Sequence, residues 1–283
     1  MAMSAGNRGR GETMAQEQTS DVEPRSGGPI DSVAAVIFDT DGVVTRTASV
    51  HAAAWKQMFD AFFRARAAAP GESLGEMTDT DYLRYVDGRA RFDGVEAFLA
   101  SRGVTIPYGD PDDPPERETI CGLGNRKNEQ FRAVVRERGV EPFESTVELA
   151  RALRASGIRT AVVSASENCA AILEAAGATD CFETRVDGLD ARAQHLAGKP
   201  DPALFLEAAA RLGVRPGDAA IVEDALAGVE AGRRGGFGLV VGVDRTGQAG
   251  ELAEHGADVV VPDLALLEID ADGRWRTRAP RDH

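Results

Sequence analysis

The sequence predicts an α/β protein: a doubly wound parallel sheet with an all-helical domain inserted after its first strand. Three observations carry the prediction. Between residues 144 and 261, short apolar runs rich in β-branched residues alternate with segments of helical period, the rhythm of right-handed βαβ units. Residues 46–141 show helical spacing and no clear strand. Polar residues follow the strands in turn, at the place where open parallel sheets bind their ligands.

Taken in order, residues 1–30 hold Gly, Arg, Ser, Gln and Glu without apolar period, and a disordered tail is expected. They contain no apolar core of the kind a signal peptide needs. The core is expected over 31–45 and 142–271. Ala34–Val44 opens as a buried strand and stops on Asp39-Thr40-Asp41-Gly42. Side chains alternate along an extended chain, so Asp39 and Asp41 point the same way, and Gly42 allows a sharp turn. Two carboxylates at about 4 Å repel by roughly 4 kcal/mol at an effective dielectric near 20. A hard divalent cation removes that cost, and Mg²⁺ suits a site that also holds phosphate. An ordinary turn or helix cap is the alternative.

The insertion, 46–141, starts with a helix from Thr45 to about Ala69, with Val50, Ala54, Trp55, Met58, Phe59 and Phe62 on one stripe and Pro70-Gly71 as its stop. Residues 72–100 read as helix interrupted at Gly88 and Gly94, 103–118 as a Pro/Asp/Gly loop, and 125–138 as a charged helix. Because the insertion leaves beside the two acids, it is expected to cover the strand ends as a lid.

The core then runs through helix 144–156, strand 159–163 ending on Ser164, helix 167–176, a short strand near 182–186, and helix 201–212 preceded by Lys199-Pro200. Strand 219–222 ends on Glu223-Asp224. Helix 225–234, strand 237–243, helix 247–255 and strand 258–261 follow, with a polar tail over 272–283. Each polar residue alone has a plain reading: Ser164 as a helix cap, Lys199 as a surface charge, Glu223-Asp224 as a cap pair. Together they supply a nucleophile, an acid/base, a metal cage, and a hydroxyl and an ammonium for phosphate oxygens.

In order, Phe38-Asp39-Thr40-Asp41-Gly42, Ser164-Ala165-Ser166, Lys199-Pro200 and Val222-Glu223-Asp224 resemble the motifs of the haloacid-dehalogenase-type phosphotransferases, and within them the β-phosphoglucomutase group. The resemblance spans about residues 33–267 and implies a Rossmann-like core under a helical cap. It implies Asp39 as the nucleophile that becomes an aspartyl phosphate and Asp41 as the general acid/base. It implies Mg²⁺ on Asp39, the Asp41 carbonyl and Asp224, with Glu223 assisting. Ser164, the Ala165 N–H and Lys199 would hold the transferring phosphate. In the cap, Thr47 and His51 match a mutase pattern, Arg91 fits a grip on the second phosphate, and Lys127 with Asn128 fits a further contact. Trp55 is expected near the sugar or in the cap core.

The chain departs from the mutase pattern at Asp87, where a basic residue is usual, at Ala225, where Ser is usual, and in the extra segment 103–118. Three readings follow: interconversion of β-D-glucose 1-phosphate and glucose 6-phosphate through an aspartyl-phosphate enzyme, hydrolysis of sugar or polyol phosphates, and non-catalytic binding of a sugar phosphate.

The net charge of −14 argues against nucleic acid or an anionic membrane as partner. A small phosphorylated sugar is the expected partner of a monomer. Three cysteines without metal-ligand spacing suggest a reducing, cytoplasmic setting.

Overall fold

A computed structural model of the chain describes residues 33–66, 75–269 and 275–277. The expected N-terminal tail, the Pro70-Gly71 stop, and residues 272–274 and 278–283 of the expected C-terminal tail lie outside them.

Six parallel strands form the sheet: β1 (Ala35–Asp39), β2 (Arg159–Val163), β3 (Thr184–Val186), β4 (Ala219–Glu223), β5 (Leu239–Val243) and β6 (Val259–Val261), in the order β3-β2-β1-β4-β5-β6. The motif strand β1 is central, with Phe38 opposite Val162 on one side and Val222 on the other. Its residues are buried throughout, which is why the sequence there reads as a continuous apolar run. The period of two sorts them between two apolar layers. Val36 and Phe38 pack with α5 (Glu144–Ala155) and α6 (Cys169–Ala175). Ala35 and Ile37 pack with α8 (Ala203–Leu212), α9 (Leu226–Arg234) and α10 (Ala249–His255).

Between β1 and α5 lie four helices: α1 (Ala48–Arg66), α2 (Asp79–Tyr85), α3 (Arg91–Ser101) and α4 (Ile120–Arg138). They enclose their own apolar cluster around Met58, Phe59, Phe62, Phe98 and Leu123, with Phe59 edge-on to Phe98 at 4.5 Å. Burying each of these side chains contributes about 1.5–3 kcal/mol. The two linkers to this cap run side by side. The Arg46 N–H donates to the Glu141 carbonyl (2.9 Å) and the Phe143 N–H to the Val44 carbonyl (2.8 Å). The Phe143 ring carries two guanidinium groups, Arg46 at 4.2 Å and Arg245 at 3.7 Å.

Several boundaries differ from the sequence reading. The segment 72–100 is two helices, α2 and α3. Thr78 and Asp81 make a reciprocal capping box at the start of α2, and Gly88 at φ +68° turns the chain between them. Helix α4 begins at Ile120 rather than at 125, because the Thr119 hydroxyl accepts the Gly122 N–H (3.0 Å). An unexpected helix, α7 (Gly188–Gln194), starts from an Asp187 capping box. Residues 275–277, read as polar tail, are a strand (β8, Trp275–Thr277) antiparallel to β7 (Leu267–Ile269). Among the described residues no helix is long and apolar enough to cross a membrane.

Candidate active site

The carboxyl ends of β1 and β4 meet the cap over one cavity. It is lined from the core by Asp39, Asp41, Ala165, Ser166 and Asp224, and from the cap by His51, Trp55, Asp87, Arg91, Lys127 and Asn128, among others. Its free volume is about 60 Å³, room for roughly four waters.

Asp39 ends β1 and is 6% exposed. Its Oδ2 accepts the Asp41 N–H (2.8 Å), which ties the two acids into one turn. Its Oδ1 accepts from Lys199 Nζ, which also donates to Glu223 Oε1. Lys199 is therefore a buried cation between two carboxylates. Burial alone would depress its pKa, but Asp39 and Glu223 outweigh it and raise the pKa. Asp39 itself lies well above the ordinary carboxylate range: burial raises it, Glu223 and Asp41 add to that, and Lys199 only partly opposes.

Asp41 behaves in the opposite sense. Burial raises it, but His51, the Thr47 hydroxyl and Lys127 prevail and bring its pKa to about 2. The Thr47 hydroxyl donates to Asp41 Oδ1, and His51 Nε2 lies 3.4 Å from the same oxygen. His51 Nδ1 is 2.6 Å from Lys127 Nζ, which also stands over the Trp55 ring (4.8 Å) and the Phe131 ring (5.0 Å). Burial and the nearby Arg91 lower Lys127 to about 7 against the pull of Asp41. Burial and Lys127 likewise lower His51. Three cap residues thus converge on the second acid of the motif.

Asp224 closes the other side. Gly42 has φ +88°, and a Cβ there would fall 1.7 Å from Asp224 Oδ2. The turn needs glycine both for its backbone and for the room it leaves the carboxylate. Burial and the charges of Asp87, Glu223 and Asp39 hold Asp224 well above its usual range.

The contacts of the expected site residues are as follows. Both oxygens of Glu223 are engaged: Oε1 accepts from Lys199 and Oε2 accepts the Ala225 N–H (2.7 Å). Thr47 and Ser164 are buried behind the cavity wall. Thr47 acts on Asp41, and Ser164 Oγ lies 3.4 Å from Asp41 Oδ2 while accepting the Ser166 N–H (3.1 Å). Trp55 both lines the cavity and stacks on Phe59 at 5.5 Å. Arg91 reaches the cavity, but its guanidinium is held by Glu167 and Asn125. Asn128 accepts from Asn168 Nδ2 (2.7 Å). Glu167 and Asn168 escaped the sequence reading although they directly follow Ser164-Ala165-Ser166, and that adjacency was the available signal. Arg245, whose Nε donates to the Gly42 carbonyl (3.0 Å), escaped it too, although it lies just past the end of β5, where the same strand-end signal applied.

Among the described residues, no three His, Cys, Asp or Glu side chains group as a metal site. Asp39, Asp41 and Asp224 line the cavity and are the oxygen donors that a cation there would meet. Asp39 and Asp224 both stand above their usual pKa through burial and like charge, and a hard divalent cation relieves that strain. An oxygen-only donor set of this kind fits Mg²⁺ by its chemistry.

A buried aspartate pair at the end of the central strand, a lysine bracketed by acids and a helical cover define a chemistry, and comparison with known proteins gives it a lineage. Residues 33–236 match the haloacid dehalogenase-like hydrolases. A β-phosphoglucomutase from Mycobacterium bovis is 49% identical over 251 residues, covering 87% of this chain and 96% of the relative. One from Bacillus subtilis is 31% identical, covering 83% and 92%. The crystal structure of a β-phosphoglucomutase from Clostridium difficile superposes with a TM-score of 0.66 at 25% identity, covering 83% of this chain and 93% of that one. The chain belongs to the haloacid dehalogenase-like hydrolase family.

Proposed function

We propose that the protein is a Mg²⁺-dependent phosphosugar mutase that interconverts β-D-glucose 1-phosphate and glucose 6-phosphate through an aspartyl phosphate on Asp39. One observation carries the choice of transfer over hydrolysis: the second acid, Asp41, is completed by cap residues, Thr47 and His51. A general acid/base assembled only when the cap is seated works in a site from which water is excluded. The 49% identity to a β-phosphoglucomutase supports the same substrate.

In one half-reaction, a carboxylate oxygen of Asp39 forms a bond to phosphorus as the bond from phosphorus to the sugar oxygen breaks. Asp41 gives its proton to that leaving oxygen. In the reverse sense, Asp41 takes the proton of a sugar hydroxyl as that oxygen attacks the phosphoryl group on Asp39. A pKa of about 2 keeps Asp41 as carboxylate, the form that a cycle starting from phosphorylated Asp39 needs first. Lys199 neutralises charge beside Asp39, and the Ala165 and Ser166 backbone faces the transferring phosphate. Mg²⁺, held by Asp39, Asp224 and the Asp41 carbonyl, would offset charge on the phosphoryl oxygens. The core is read as 31–45 with 142–271 and the cap as 46–141. The free, buried cysteines fit a reducing, cytoplasmic setting.

The test supplies β-glucose 1-phosphate, a trace of bisphosphate and Mg²⁺, and follows glucose 6-phosphate against free phosphate. Isomer without stoichiometric phosphate is expected. Stoichiometric phosphate without isomer contradicts the mutase reading and leaves a sugar phosphatase.

A further inference from the structure

The cap meets the core at a polar seam that the reaction itself does not use. Arg91, at the start of α3, pairs through Nη2 with Glu167 Oε2 and donates through Nη1 to Asn125 Oδ1 (2.8 Å). Glu167 sits in the core loop after β2. Its other oxygen lies 3.9 Å from Arg192 Nη1, and Arg192 Nη2 is 3.1 Å from Asp112 in the cap loop 103–118. Asp112, Arg192, Glu167 and Arg91 therefore form one alternating chain of charge across the seam. Arg91 and Glu167 are both half-buried, their side chains 16% and 25% exposed, so solvent screens their attraction only in part.

Arg91 also lines the cavity. A cavity-lining guanidinium able to meet a second phosphate is thus already satisfied by a carboxylate of the protein. A ligand takes it over only by offering more than one negative charge and a matching face of oxygens. A phosphate dianion does so, whereas a hydroxyl does not.

We propose that Glu167 is a specificity-determining residue: its carboxylate holds Arg91 across the cap–core seam and yields it only to a ligand carrying a second phosphate dianion. This rests on the mutase reading in that a bisphosphate is the ligand in question. The consequence is selection by competition. With Asp39 unphosphorylated, a sugar monophosphate whose phosphate sits on the core side leaves the Arg91–Glu167 pair intact and gains nothing from the cap arginine.

Calorimetric titration of the full chain with glucose 1,6-bisphosphate reads this without relying on turnover. Glu167→Gln keeps the size of the side chain, at a partly exposed loop position, and removes the competing charge. It should tighten bisphosphate binding about fivefold, the equivalent of about 1 kcal/mol for a partly exposed pair. In an Arg91→Ala background the same substitution should bring no gain, because the competition runs through the guanidinium. Unchanged or weaker binding in Glu167→Gln, or a gain that persists without Arg91, overturns the proposal. A chain that shows the predicted binding pattern but no isomerisation refutes the mutase reading and leaves the role of Glu167 standing. An active mutase without the pattern does the reverse.

Discussion

Lys199, Gly42 and Asp41 show how single residues set the site. Lys199 lies between Asp39 and Glu223 with no exposed side-chain surface. Removing a buried cation leaves two carboxylates uncompensated, a loss of about 3–5 kcal/mol. Lys199→Met is therefore expected to lower stability by that order at neutral pH, measured by denaturant unfolding. The deficit should shrink on acidification. With the cation gone, the folded chain binds a proton at Asp39 more readily than the unfolded chain, so its stability falls as pH rises. A deficit that is flat between pH 5 and 8 would contradict this. Gly42→Ala is expected to act on folding, through the strain of an alanine at φ +88°, and on chemistry. A Cβ at 1.7 Å from Asp224 Oδ2 must push that carboxylate aside, and a displacement near 1 Å costs about a hundredfold in turnover. Wild-type turnover in the alanine variant would show that Asp224 has no part in the reaction.

The elements explain which parts of this were legible in the sequence. Strand β1 announced itself because it is buried on both faces, and its two acids lie at the only place where a buried parallel strand meets solvent and ligand. The order of Ser164, Lys199 and Glu223-Asp224 along the chain followed from the same βα rhythm. What escaped depends on contacts between elements. Nothing in the sequence shows that both oxygens of Glu223 are taken by Lys199 and the Ala225 N–H, or that Arg91 finds Glu167 from a segment far along the chain. The β7–β8 pair was missed because its strands are three residues each, too short for alternation to register. Helix starts at Thr78, Thr119 and Asp187 were readable from their caps, but Thr78 lay inside a stretch read as helix, and Thr119 and Asp187 lay between the elements that were read. The capping box of α2 yields a prediction at this scale. Burial raises the pKa of Asp81, but the Thr78 N–H, the Thr78 hydroxyl and Arg102 outweigh it and bring the pKa below its ordinary value. Its contribution is thus present above the unfolded pKa near 3.9 and is lost as pH falls through the lower folded value. Asp81→Ala should cost about 1 kcal/mol at pH 7, with the difference from the parent chain disappearing in acid. A difference that persists undiminished in acid would place the effect in packing instead.

For the whole molecule, the fold brings together residues from two bodies of helix and sheet whose linkers cross at Phe143. The core supplies the acids, the lysine and the phosphate-facing loop. The cap supplies the groups that finish Asp41 and the arginine that the core's Glu167 restrains. Residues of both parts line the one cavity of about 60 Å³. The event proposed for it is the passage of a phosphoryl group through Asp39. The most direct measurement is intact-protein and peptide mass spectrometry after brief exposure to Mg²⁺ and glucose 1,6-bisphosphate. The account predicts one added phosphoryl group, located on the peptide containing Asp39, chased off by β-glucose 1-phosphate and absent from Asp39→Asn. Label on another residue, or turnover that survives Asp39→Asn, would contradict it.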